Sequence, residues 1–213
     1  MNPLLHSSLR QIKINGYGVG LGALEDLAAE LNCVGFGSLT GMVNAKALSS
    51  LSQEALERRR EAKLVSGEVP CFHHAHLSKL GNCGVSFLTS CLMEGLLSSL
   101  FREPLVLATD ASCYTYYGPG DCLGPHLDDP DQCLITVILY VDVKSPCQRR
   151  SDTGLQLRIR GGSGEKPGAV RAVLTTVRGM IVVGLGSEHW HERPQLQTGE
   201  HVTALTACFS RRV

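Results

Sequence analysis

The sequence has no surplus of charge, no close cysteine pair and no uninterrupted apolar run. Its 213 residues balance 20 Lys and Arg against 20 Asp and Glu. No field of one sign is available to gather a phosphate backbone or an anionic lipid surface, so neither nucleic acid nor membrane is an expected partner. There are nine cysteines, an odd number with no C-x-x-C spacing. That pattern predicts neither a zinc cluster nor a disulfide framework, and leaves free, buried thiols as the expectation. The opening stretch, MNPLLHSSLRQIKING, lacks the apolar segment and small-residue cleavage site of a secretory signal. The greasiest window, GVSFLTSCLMEGLLSSLF at 84–101, is interrupted by serines, a threonine and Glu94, which predicts a core helix rather than a membrane span. A cytoplasmic location is therefore expected. Internal repeats, low-complexity tracts and an interdomain linker are also missing, so residues 1–213 are read as a single domain.

What is present divides into two textures. Residues 1–104 read as a mainly helical packing region, where LGALEDLAAEL and NAKALSSLSQEALERRREAKL carry apolar residues at helical spacing. From Leu105 to about residue 210 the chain turns to short β-branched runs separated by Gly, Pro and Asp clusters: PLVLATDASCYTYY, CLITVILYVDV, GLQLRIR, AVRAVLTTV, GMIVVGL and HVTALTACF. Strands without intervening helices predict an antiparallel sandwich or small barrel. The fold class is thus mainly β with N-terminal helices. At 43% hydrophobic content the chain can bury a core.

The chemistry concentrates at YYGPGDCLGPHLDDPD, residues 116–131. Alternate residues of a strand share a face, so His126 and Asp128 can reach one point while Leu127 packs the other way. One imidazole and one carboxylate suit Fe(II), and a second histidine from a distant strand would complete a 2-His-1-carboxylate triad. GSEHWHERP offers His191 and, on the same face, its rival His189. A metal-binding cupin pattern fails, because Gln195 and Leu196 occupy the places where its glutamate would follow His189 and His191. The cluster CFHHAH, with His73, His74 and His76, has no acidic or cysteine partner at a supporting spacing and reads as a surface or core group. Tyr114 and Tyr116 read as packing residues, and Asp129 and Asp131 as turn residues.

With these residues the sequence resembles the iron(II)- and 2-oxoglutarate-dependent oxygenases, in the branch similar to prolyl hydroxylases. The matching features begin with Tyr117 and Gly120 before the H-x-D and continue through the strand LITVILYVDV to Gly154-Leu155-Gln156-Leu157. RGMIVVGLGSEHWH and GEHVTALTACF complete the match, which covers about half the chain. The resemblance implies a double-stranded β-helix, or jelly roll, over 105–210, with Fe(II) held by His126, Asp128 and His191. It implies 2-oxoglutarate as co-substrate, ascorbate as an auxiliary reductant, and no catalytic residue beyond the metal ligands. Tyr117 is placed near the co-substrate. The family's cation for the far carboxylate falls at His201, with Thr203 assisting; Arg193, Arg158, Arg160 and Arg178 are alternative cations. The implied reaction is hydroxylation or a related C–H oxidation of a small molecule. A free amino acid bound by Arg158 or Arg160 beside Trp190 is the first candidate, and a peptidyl proline the next. Two alternatives stand beside it: a non-catalytic jelly-roll binding or assembly protein with a decayed co-substrate site, and an iron oxygenase that does not use 2-oxoglutarate.

Overall fold

Asn44 and Ser90 both sit in extended backbone with their side-chain oxygens accepting from Ala47 N and Met93 N, so each starts a helix by satisfying an orphan amide. In the computed structural model, which describes residues 21–67, 73–101, 103–146, 153–162 and 166–211, those helices are α2 (Ala45–Arg58) and α4 (Cys91–Leu100). They join α1 (Leu21–Val34) and α3 (Asn82–Leu88). The window at 84–101 is therefore two helices, not one. Ser90 makes the break by capping α4 while its hydroxyl donates to Phe87 O. Among the described residues no single helix is long and apolar enough to cross a membrane.

The N-terminal region also holds three strands that its helical texture conceals: β1 (Phe36–Leu39), β2 (Lys63–Gly67) and β3 (His73–Lys79). The other strands are β4 (Leu105–Tyr117), β5 (Cys122–His126), β6 (Ile135–Lys144), β7 (Gln156–Arg160), β8 (Val170–Thr175), β9 (Ile181–Gly184), β10 (His191–Arg193) and β11 (His201–Arg211). All pairings are antiparallel, in the order β1-β9-β6-β11-β4-β3-β5-β10-β7-β8, with β2 added to β3. The sheet nearly closes on itself as a jelly roll. Strand β3 makes the corner, because it pairs with β4 through His76–Lys79 and with β5 through His73 and His74.

Alternation along the central strands sorts the core into two layers. Ile135, Val137, Leu139 and Val141 of β6, with Leu205, Ala207 and Phe209 of β11, pack beneath the helices. Ile138 and Tyr140, with Val202 and Ala204, face the barrel interior. Tyr114 and Tyr116 are fully buried on the helix side, as expected for packing residues. Their hydroxyls bond to Glu54 and to Ala55 O on α2. Glu54 also accepts from Cys83 N and Gly84 N at the start of α3, which ties two helices to the sheet.

Cys133 and Cys208 are joined as a disulfide, contrary to the expectation of free thiols. Among the described residues Cys33, Cys83, Cys91, Cys113 and Cys122 are free. The pairing depends on β6 and β11 being neighbours, which spacing in the chain does not reveal.

Candidate metal centre

Strands β5 and β10 run antiparallel with His126 and His191 directly opposite each other. The two rings lie 4.1 Å apart between centroids. Asp128 lies two residues beyond His126, just past the end of β5, and is held by a hydrogen bond from its backbone N–H to Gly186 O, 3.0 Å. One ligand atom from each of His126, Asp128 and His191 lies within 4.8 Å of the others. Asp128 Oδ1 is 3.5 Å from His126 Nε2 and 3.7 Å from His191 Nε2.

The surroundings set which atoms point inward. His126 Nδ1 is 3.0 Å from Gly124 O and His191 Nδ1 is 3.0 Å from His189 O. With a proton on each Nδ1 donated to a carbonyl, both Nε2 lone pairs are left for a metal. The outer carboxylate oxygen, Asp128 Oδ2, accepts from the Thr136 hydroxyl. Gly186 makes room for that oxygen, since a Cβ there would overlap it. Burial alone would raise the Asp128 carboxyl, but in acid, where the imidazoles of His126 and His191 beside it take up protons, they and the Thr136 hydroxyl hold it down to about 2. Burial, reinforced by neighbouring His126, pushes the His191 imidazole down to about 4. At neutral pH the set is one carboxylate and a neutral His191, the protonation states that metal ligation needs.

His189, the rival ligand, lies elsewhere. Its ring packs over Gly35, whose φ of 79° and missing Cβ admit it. It lines no part of the cavity around the triad.

That cavity, about 320 Å³, lies inside the barrel and is walled by β2 to β7, β10 and β11. Tyr117 and Arg193 both line it. Arg193 is only 3% exposed. Its guanidinium donates to Tyr140 Oη at 2.7 Å, to Thr176 Oγ1 at 3.2 Å and to Gly154 O. It also lies over the rings of Tyr117 and Tyr140, at 5.3 and 5.2 Å. Among the described residues no carboxylate lies within ion-pair distance of it. A buried cation without a counter-charge is costly, so Arg193 is the candidate partner for an anion entering the cavity.

The remaining expected site residues lie away from the cavity. His201 and Thr203 share a face of β11, but Val202, Ala204 and Thr206 occupy the interior face. Thr203 instead lines a separate depression under α2 with Arg59 and Arg178, so neither His201 nor Thr203, both expected at the co-substrate, lines the cavity that holds the triad. Counting from His191 gave their spacing but not which face of β11 they occupy. Arg178 is tied to Val141 O and Ser52. Arg158 and Arg160 alternate with the inward Leu157 on β7 and meet Glu192, at 3.9 and 2.8 Å. Trp190 is half-buried beside them, where its carbonyl accepts from Arg160 N. None of the three lines the cavity: Arg158 and Arg160 occupy the outward parity of β7, and Trp190 precedes β10.

His73, His74 and His76, read from the sequence as a surface or core group, do not share one environment. On β3 they alternate: His74 pairs with Asp121 at 2.5 Å and His76 is exposed, whereas His73 faces the cavity. His73 Nε2 is buried and has no hydrogen-bond partner. Burial, followed by the influence of His126 and His74, lowers its pKa, so it stands as a neutral imidazole. The signal for His73 was strand alternation, hidden because the segment was read as part of a helical region.

No protein-family profile and no curated protein matches the sequence. Solved structures do. A Pseudomonas putida prolyl-4-hydroxylase is 20% identical with a TM-score of 0.64, over 89% of this chain and 99% of that one. A 2OG-Fe(II) oxygenase family oxidoreductase from Burkholderia pseudomallei is 17% identical with a TM-score of 0.67, over 94% and 95%. The epimerase SnoN, in complex with Fe3+, alpha ketoglutarate and nogalamycin RO, is 14% identical with a TM-score of 0.68, over 89% and 84%. At these identities the likeness is one of architecture, and the chain has the jelly-roll fold shared by the prolyl hydroxylases and other 2OG-Fe(II) oxygenases.

Proposed function

We propose that the protein is a non-haem Fe(II)- and 2-oxoglutarate-dependent oxygenase that oxidises a C–H bond. The observation that carries this is the convergence of His126, Asp128 and His191 inside a cavity that also holds the uncompensated guanidinium of Arg193. Two imidazoles with their other nitrogens already bonded, plus one ionised carboxylate, fit a ferrous ion and leave open positions for further ligands. When bound there with 2-oxoglutarate and dioxygen, iron supplies a two-electron oxidation of the substrate coupled to release of succinate and carbon dioxide. The chain's own part is to hold the metal, anchor the co-substrate and exclude water. We assign the far carboxylate of 2-oxoglutarate to Arg193, with Tyr117 alongside, in place of His201 and Thr203.

The rest of the cavity wall bears on the substrate. Among the described residues, beyond the triad and Arg193 it consists of Leu77, Cys113, Thr115, Thr206 and similar uncharged groups, with His73 as a neutral hydrogen-bonding site. A free amino acid would need a cation for its carboxylate, but Arg158 and Arg160 are engaged with Glu192 outside the cavity. The substrate therefore reacts through an uncharged portion, and an amino-acid residue flanked by amides suits this wall better than a free amino acid.

The test is succinate release from 2-oxoglutarate under air with Fe(II), comparing free amino acids with their N-acetylated, C-amidated forms. Activity should require the metal, be lost in His126→Ala and Asp128→Ala, and rise with blocked amino acids. Turnover retained in either variant would overturn the reading. An absence of saturable 2-oxoglutarate binding to the Mn(II)-loaded protein would instead favour a non-catalytic binding protein, and iron-dependent turnover without the 2-oxo acid an oxygenase of another class.

A further inference from the structure

The metal-binding carboxylate is connected to the disulfide through one hydroxyl group. Thr136, 3% exposed at the start of β6, donates to Asp128 Oδ2. Its Oγ1 lies 3.4 Å from Cys133 Sγ. Across the ladder, Thr136 is the register partner of Cys208. The segment from Asp129 to Leu134 thus leaves from a metal ligand and returns beside a sulfur cross-linked to β11. It is also pinned by Cys133 N to Asp129 O, 2.8 Å, and Leu134 N to Phe209 O, 2.9 Å.

We propose that Thr136 is a positioning residue that fixes Asp128 as a one-oxygen ligand, and that the Cys133–Cys208 cross-link holds Thr136 in place, so that retention of the metal depends on the redox state of this pair. The inference rests on the metal-centre reading above. A hydroxyl has one proton. Given to Oδ2, it occupies that oxygen and leaves Oδ1 facing both imidazoles, so the carboxylate cannot swing to a two-oxygen grip. Reduction by a dithiol breaks the S–S bond: two electrons and two protons arrive, two thiols form, and the dithiol leaves as its own disulfide. The sulfurs then separate to non-bonded contact, which releases the chain beside Thr136 from its covalent tether to β11. That release loosens the hydroxyl that orients Asp128. Partners of this kind typically change metal affinity by about 10- to 100-fold when removed.

The experiment measures Mn(II) affinity by electron paramagnetic resonance on the full chain. Protein purified without reductant should show the Cys133 and Cys208 peptides cross-linked by mass spectrometry. Thr136→Val should weaken Mn(II) binding by roughly tenfold or more, and Thr136→Ser, which keeps the hydroxyl, should restore it. Dithiothreitol treatment followed by anaerobic desalting should weaken wild-type binding several-fold, as should Cys208→Ser, with circular dichroism unchanged. Wild-type affinity in Thr136→Val, no rescue by Thr136→Ser, equal affinity before and after reduction, or absence of the cross-link would each overturn the proposal. If the wild type itself binds Mn(II) no better than His126→Ala, it is the metal-centre reading that fails.

Discussion

The imidazole of His191 stands opposite that of His126 across the β5–β10 ladder, and both turn Nε2 toward the same oxygen of Asp128. A single register position therefore builds the candidate metal centre, and it discriminates sharply between adjacent histidines. His191→Ala should weaken Mn(II) binding at least about 100-fold, more than loss of an outer partner would. His189→Ala should leave it within about threefold, since its ring packs on Gly35 instead. Calorimetric titration with Mn(II) checks both.

Arg193 and His201 give a second contrast. Removing one member of a buried, hydrogen-bonded charge pair costs about 2–5 kcal/mol, so Arg193→Met should raise the 2-oxoglutarate Kd by at least about 30-fold. His201→Ala should leave it unchanged, because that side chain lies off the cavity. Binding measured on Mn(II)-loaded protein separates the two, and a large effect in His201→Ala would return the carboxylate to β11.

His73→Phe should keep Mn(II) and 2-oxoglutarate affinity within about threefold while losing stimulation of succinate release by whichever blocked amino acid is active, because the lost hydrogen bond belongs to the substrate. Slow, unstimulated turnover of 2-oxoglutarate should persist. Equal loss of metal affinity would show that His73 serves the triad instead.

The metal-free protein should lose stability as the pH falls from about 6.5 to 4. His191 is lowered from 6.5 to about 4 by burial and by His126, so in that window the unfolded chain takes up a proton that the folded one refuses. The contribution is present in full above 6.5 and is worth at most roughly 3 kcal/mol. Asp128, held at about 2, adds a second loss only at more acid pH. Urea unfolding of wild type and His191→Gln at pH 7 and pH 4.5 checks this: the variant should show the smaller difference.

Much of this was legible because strand alternation and the H-x-D spacing are local. His126 and Asp128 are readable from two residues, and Tyr117 is separated from Tyr114 and Tyr116 by parity together with the family resemblance. The choice of His191 over His189 was not legible from parity, which the two share; it required Gly35 to be in place on another element. His73 escaped because β3 is rich in histidine and poor in β-branched residues, so its period was hidden. Arg193 was named only as one of several cations, since nothing local shows that Glu192 would engage Arg158 and Arg160 and leave Arg193 without an acid. Cys133 and Cys208 meet only because β6 lies beside β11, a relation of topology rather than of spacing.

Because β6 turns one set of side chains toward the helices and the other toward the barrel interior, its neighbouring positions answer to different demands. Trimming Leu139 to alanine should lower the melting temperature through a cost of about 2–5 kcal/mol while leaving ligand affinities intact. The next residue along, Tyr140, should do the reverse when changed to phenylalanine. Robustness and chemistry can thus be altered independently within one strand, one residue apart.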